Sequence, residues 1–153
     1  MATIDPLDEK LAQLMGQDGR QSSEMLAKKL KVSAATVRRR LRKLIKNKLL
    51  YIVGVVDPSQ FGYPVSVLLA VKAVPYNVES MMKTFAKMPE IKFVSSTTGR
   101  YDLIAVGRFS SPASLSAFLM DDLSHVEGLK DIETFVCLSV AKGGYVTLPR
   151  LKD

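Results

Sequence analysis

Between Lys31 and Lys48 the chain carries eight basic side chains and no acidic one. A single-sign cluster of that density attracts polyanions, with nucleic acid as the leading candidate. A solvated helix face would carry the same charge, so the spacing has to discriminate. At about 100° per residue, Val37, Leu41 and Leu44 share one side of a helix, and Ile45 extends the apolar stripe. The opposite side carries Ala35, Thr36, Arg39, Arg42, Lys43 and Lys46, with Arg38 and Arg40 on the flanks. Ala35 and Thr36 are small enough for close approach and for contact with a thymine methyl, while Arg38 and Arg39 can fork onto guanine or grip phosphate. Arg42, Lys43 and Lys46, with Lys28 and Lys29 upstream, suit phosphate, which tolerates flexible point charges. With Ser33 as the cap, the expected DNA-binding set is Ser33, Ala35, Thr36, Arg38, Arg39, Arg42, Lys43 and Lys46.

Catalytic chemistry is poorly provided for. His125 is the only histidine and is expected in the loop after the last helix. Cys137 is the only cysteine, in a strand with no histidine nearby in sequence, and Asp121-Asp122 reads as a solvated pair at a helix end. No zinc spacing, phosphate loop or Ser/His/Asp arrangement occurs, so no enzyme, cofactor or metal is expected.

The elements that must position these residues follow from periodicity. Leu7, Leu11, Leu14 and Met15 mark a first helix ended by Asp18-Gly19. Ser22 or Ser23 can cap a second helix striped by Leu26 and Leu30, and Ser33 caps the third after a tight Lys31-Val32 connection. Two helices so closely joined have helix-turn-helix spacing. Tyr51 to Val56 reads as a short strand, followed by the Asp57-Pro58 turn signal. Beyond it Val65, Val67, Leu69, Val71 and Ala73 alternate over a strand, and Val78, Met81, Met82, Phe85 and Met88 form a helical stripe. Residues 91–109 read as two strands about Gly99-Arg100, and Pro112 opens a helix with Leu115, Phe118, Leu119 and Leu123. Ile132, Thr134, Val136, Leu138 and Val140 alternate over a last strand.

The expected architecture is therefore α+β: a three-helix helix-turn-helix of winged type over 1–50, a strand and linker over 51–64, and a βαββαβ ferredoxin-like domain over 65–153. In that arrangement both helices cover one face of the sheet. Leu68, Ala70, Val74, Phe135 and Cys137 fall on the other, which is too apolar for water and needs a second subunit. Charge divides likewise, with a net +7 in residues 1–50 and zero in 51–153. The lone cysteine fits a reducing compartment, residues 1–8 lack an apolar signal core, and no run of about 18 apolar residues occurs, so a cytoplasmic protein is expected.

Several motifs taken together resemble the Lrp/AsnC, or feast/famine, regulators. They are Ile4-Asp5 with Asp8, Asp18-Gly19-Arg20 with Ser22, Leu26-Ala27, Val32-Ser33, Thr36-Val37, Arg39-Arg40, Asp57-Pro58 with Gly62, Thr98-Gly99-Arg100-Tyr101-Asp102-Leu103 and Thr134. The resemblance implies a sequence-specific transcriptional regulator, a homodimer built on the α+β domains that assembles to tetramers or octamers, and an amino acid or related effector between dimers. Carried over, Gly99, Arg100, Tyr101, Asp102 and Thr134 would form the effector site: Gly99 for close backbone approach, Asp102 for an ammonium, Tyr101 as a wall and Thr134 as a hydroxyl. Where the family has glycine after the third helix this chain has Lys48, so Asn47 is expected to supply the left-handed residue. Two rivals share much of this pattern: an architectural DNA-binding protein with little sequence preference, and a tetrapyrrole decarboxylase-like enzyme on the same architecture.

Overall fold

The computed structural model describes residues 4–143. The chain divides into two compact units, Met1–Val53 and Gly54–Asp153.

The first unit is three helices: α1 (Pro6–Gln17), α2 (Ser23–Leu30) and α3 (Ala34–Lys46). Each starts on a side-chain cap that satisfies backbone N–H groups a helix cannot pair internally. Asp5 accepts from Leu7 and Asp8, Ser22 from Met25, and Ser33 from Thr36. Leu11, Met15, Leu26, Ala27, Val37 and Leu44 are buried together at the centre. Only a narrow strip of α3 contributes, because Ile45, expected to join Val37 and Leu44, is 45% exposed.

Both ends of α3 are set by left-handed lysines. Lys31, at the end of α2, has φ 55°. The amide of Val32 reaches the Ala27 carbonyl at 3.1 Å and that of Lys31 the Lys28 carbonyl at 3.4 Å. After α3 the same double closure recurs, with Leu49 donating to Leu44 at 2.9 Å and Lys48 to Ile45 at 3.0 Å. This is the Schellman arrangement, whose left-handed position favours glycine. Asn47, expected in that role, has φ −83°; Lys48 takes it, at φ 56°. The helix's last hydrogen bonds, not the side chain best suited to the conformation, fix which residue must turn.

Residues 51–55 form no strand, contrary to expectation, and Val56 makes only an isolated bridge. The expected wing is therefore not formed among the described residues. A 3-10 turn follows over Pro58–Phe61, capped by Asp57 and closed by Gly62 at φ 84°.

The second unit is a four-stranded antiparallel sheet of β1 (Val65–Ala73), β2 (Ile91–Ser96), β3 (Leu103–Phe109) and β4 (Leu129–Val136), in the order β2-β3-β1-β4. α4 (Val78–Phe85) and α5 (Pro112–Ala117) cover one face. Period-2 alternation sends Val67, Leu69, Val71, Leu103, Ala105 and Phe109 into the core, where they meet Met81, Phe85, Leu115, Phe118 and Leu123. α5 continues as a π-turn over Phe118–Asp122 and a 3-10 turn over Leu123–His125, so His125 ends the helix rather than lying in the loop beyond it. Its Nδ1 lies 2.7 Å from the Asp121 carbonyl oxygen. Gly107 leaves room for the core, since a Cβ there would come within 2.7 Å of the Phe109 ring. β4 is shorter than its alternation implies: the last ladder bond joins Cys137 to the Ser66 carbonyl at 2.8 Å, and Leu138 is 97% exposed. β1 begins at Val65, preceded by Pro64, which has no N–H to give.

The left-handed lysines make a direct prediction. Lys48→Gly should stabilise the first unit by about 0.5–1 kcal/mol, because the steric cost of a Cβ at positive φ exceeds the extra chain entropy of glycine. Urea unfolding followed by helical circular dichroism measures this; an unchanged or lower midpoint would refute it.

Candidate nucleic-acid interface

α3 carries three consecutive arginines, and the fold gives each a different environment. Arg40 turns inward to α1, where its guanidinium donates to Asp8 at 2.8 Å and also to Asp5. Asp8 is only 2% exposed and the Arg40 side chain 21%, so this is a partly buried cation held between two carboxylates. The Arg40 hydrogen bond is the main reason the Asp5 carboxyl lies below its usual range, and the same contacts raise Arg40. Arg38 turns toward α2 and donates to Glu24 at 3.0 Å. Arg39 is exposed, with no hydrogen-bond or ion-pair partner among the described residues. Of the three, its guanidinium is the one left with every donor available.

The remaining expected DNA-binding residues are arranged around it. Ser33 accepts the Thr36 amide at 3.1 Å, and the two hydroxyls lie 2.9 Å apart, so the Thr36 Oγ1 takes part in the cap. Ala35, Arg42, Lys43 and Lys46 are exposed, and Arg42 Nε donates to the Arg38 carbonyl at 3.4 Å. The face thus offers a small-residue N-terminal end, one unengaged arginine and a C-terminal run of cations. Such a surface can admit base edges at one end and hold phosphates along the rest.

Glu24, Asp5 and Asp8 were not singled out for these roles by sequence reasoning. Arg40 and its partners are separated by 32 and 35 residues, and Arg38 and Glu24 by 14, so no local periodicity links them.

In the second unit the Gly99–Asp102 loop joins β2 to β3. Gly99 has φ 108°, which a side chain would strain. The Thr97 amide and hydroxyl donate to the Asp102 and Tyr101 carbonyls, both at 2.9 Å. Asp102 Oδ2 accepts the Ala73 amide at 2.9 Å, tying the loop to the end of β1 and leaving Oδ1 for other partners. Tyr101 donates its hydroxyl to Glu133, whose carboxylate is the main cause of the raised phenol pKa. Arg100 lies 5.4 Å from the Tyr101 ring centroid. Thr134 does not join this group, because alternation along β4 sends it, opposite Leu69, to the helix-covered face. Glu133, opposite Ala70, is on the other face with Tyr101.

That uncovered face carries an apolar row in register across all four strands: Phe93 opposite Val106, Val106 opposite Leu68, and Leu68 opposite Phe135. Leu68 is 41% exposed, Phe135 47% and Phe93 54%. Among the described residues no group of three or more His, Cys, Asp or Glu side chains could hold a metal ion, and no helix is long and apolar enough to cross a membrane.

Comparison with known proteins bears on both units. Residues 4–45 match the AsnC-type helix-turn-helix domain, and residues 66–146 the Lrp/AsnC ligand binding domain. The chain belongs to the Lrp/AsnC family. An uncharacterized HTH-type transcriptional regulator of Pyrococcus furiosus is 32% identical over 143 residues, covering 93% of this chain and 97% of its own. The HTH-type transcriptional regulator FL11 of Pyrococcus horikoshii is 26% identical, covering 91% and 92%. Among solved structures, AsnC of E. coli has a TM-score of 0.81 at 22% identity, covering 92% of this chain and 96% of its own. A Neisseria meningitidis transcriptional regulator in complex with L-Met gives 0.83 at 22%, covering 96% and 97%. As an Lrp/AsnC protein, this chain is a DNA-binding transcriptional regulator with a helix-turn-helix and an α+β ligand-binding domain.

The Arg40 cluster can be tested without DNA. Asp8→Ala should lower the stability of the first unit by about 2 kcal/mol in urea unfolding, because a buried charged hydrogen bond is lost. Asp5 sets a pH direction as well. Its folded pKa is depressed, so its contribution is complete above the ordinary aspartate value of about 3.9 and disappears as pH falls through the lower folded value. Acid titration of helical signal should therefore destabilise the parent more steeply below about pH 4 than an Asp5→Asn variant.

Proposed function

We propose that α3 lies in a DNA major groove and that Arg39, with Ala35 and Thr36, reads base edges, while Ser33, Arg42, Lys43 and Lys46 fix its seat along the groove and Arg38, held at one end by Glu24, flanks the reading face. The observation that carries this is the division of labour among the arginines: Arg40 is held against α1 between two carboxylates, Arg38 is exposed with one end held by Glu24, and Arg39 is exposed and unengaged on the polar face of an AsnC-type helix-turn-helix. Two such units about 34 Å apart would read successive major grooves of a pseudo-palindrome. The apolar row Phe93, Val106, Leu68 and Phe135 supports dimerisation by burying the open sheet face against a second copy. Tetramers or octamers would be assemblies of such dimers.

The ligand-binding domain and the L-Met complex of the Neisseria relative support an amino-acid effector. The loop Gly99, Arg100, Tyr101 and Asp102 supplies suitable groups: an open glycine, a guanidinium for a carboxylate and an unused carboxylate oxygen for an ammonium. Thr134 faces the other side of the sheet in one protomer, so it would contribute only by way of another subunit. Effector binding between dimers would bias which oligomer forms and thereby change DNA occupancy. The protein then acts in the cytoplasm, on the chromosome, and carries out no catalysis.

Two substitutions test the DNA reading. Arg39→Ala should cost about 1–3 kcal/mol at a preferred site and relax sequence preference there. Lys46→Ala should weaken all duplexes alike and flatten the dependence on salt. Equal losses on preferred and random DNA for both variants would make Arg39 a phosphate contact, and parent binding without sequence preference would favour an architectural protein. For the effector, free amino acids are screened by thermal shift and the hits by sedimentation. Asp102→Asn keeps an acceptor for Ala73 while removing the charge, so it should abolish a ligand-induced change in sedimentation and leave the dimer intact. No response of the parent to any amino acid would remove this part of the proposal.

A further inference from the structure

Glu24 is the only acidic residue of α2, and its carboxylate reaches across to α3, where Arg38 Nη1 donates to it at 3.0 Å. The placement is unusual in charge. The segment from Lys31 to Lys48 contains eight cations and no acid, and Lys28 and Lys29 extend the positive field along α2. A carboxylate among them weakens the attraction to every phosphate, whatever the sequence. It stays ionised, because its own amide, the Ser22 hydroxyl and Arg38 hold its pKa below the usual glutamate value.

What the carboxylate contributes in return is direction. A free surface arginine samples many rotamers, and phosphates border the groove on both sides, so it grips backbone as readily as a base. Glu24 fixes one end of the Arg38 guanidinium, while Arg42 Nε meets the Arg38 carbonyl at 3.4 Å on the same stretch of helix. Four of the five guanidinium N–H donors stay open, enough for a bidentate approach to one guanine edge. Both side chains are more than half exposed, so the pair is weak enough to adjust as DNA arrives and not so tight that it blocks binding.

Resting on the reading that α3 enters the groove, we propose that Glu24 is a specificity-determining residue that aims Arg38 at a base edge and shields it from phosphate. It raises discrimination by penalising the wrong contact as well as favouring the right one.

The experiment uses the full chain and duplexes enriched by the parent protein from a randomised pool. Affinity for an enriched duplex and for random duplex is measured over a range of salt for the parent, Glu24→Gln, Arg38→Gln and the double variant, with thermal unfolding of each. Glu24→Gln should bind random DNA roughly three- to tenfold more tightly and show a specificity ratio about tenfold lower. Arg38→Gln should lower that ratio similarly, and adding Glu24→Gln to it should lower it no further. An unchanged ratio in Glu24→Gln, an Arg38→Gln variant that discriminates as well as the parent, or a Glu24 effect undiminished without Arg38 would each overturn the proposal. A parent that enriches no motif would instead sink the DNA reading beneath it, a result distinct from a motif that Glu24→Gln leaves intact.

Discussion

A helix that presents cations over most of its surface has little apolar material with which to hold itself in place. In α3 the fully buried contribution comes from Val37 and Leu44, while Leu41 is half-buried and Ile45 faces solvent. The seat is completed by charge: Arg40 lies between Asp5 and Asp8, at the start of α1. A partly buried ion pair is poor evidence of net stability, since desolvation offsets much of the attraction, but it is directional in a way that hydrophobic burial is not. Two carboxylates fixed by the geometry of an N-cap and first turn leave the guanidinium little freedom. The rotation of α3 about its own axis follows, and with it which arginine faces outward.

Asp5 performs two of these tasks at once, as it caps α1 with one oxygen and meets Arg40 with the other. Local helix initiation and tertiary placement therefore depend on one side chain, and losing it would loosen both. The second unit solves its own problem with alternation alone. One set of strand residues is sealed under α4 and α5, and the opposite set forms the row from Phe93 to Phe135, for which the chain offers no cover among its described residues.

Much of this was legible in the sequence where a pattern is local. The helical period around Val37 and Leu44, the cap Ser33, the narrowing of the α2 cap to Ser22 or Ser23, and the alternation of Val67, Leu69 and Val71 all read correctly, because each depends on neighbours within a few residues. The misreadings share the opposite cause. Tyr51 to Val55 have strand-like composition, but a strand needs a partner, and none pairs with them among the described residues. Leu138 and Val140 keep the alternation of β4 after β1 has no more backbone to pair with. The Gly99–Asp102 loop was singled out by resemblance, yet the separation of Thr134 from Tyr101 follows only from the register of β4 against β1. The carboxylates that divide the three arginines were invisible for the same reason, since ion pairing across separations of 14, 32 and 35 residues leaves no period to detect.

The two lysines that close α2 and α3 set stability against electrostatics at the same positions. Relieving the backbone at either with glycine would also delete a cation from the border of the basic face, so a hardier version of this unit would be a weaker attractor of polyanions. A chain that keeps lysine at both turns gives up thermal margin where it keeps long-range pull. Relatives with glycine there would tolerate more heat and depend less on low salt to find their target.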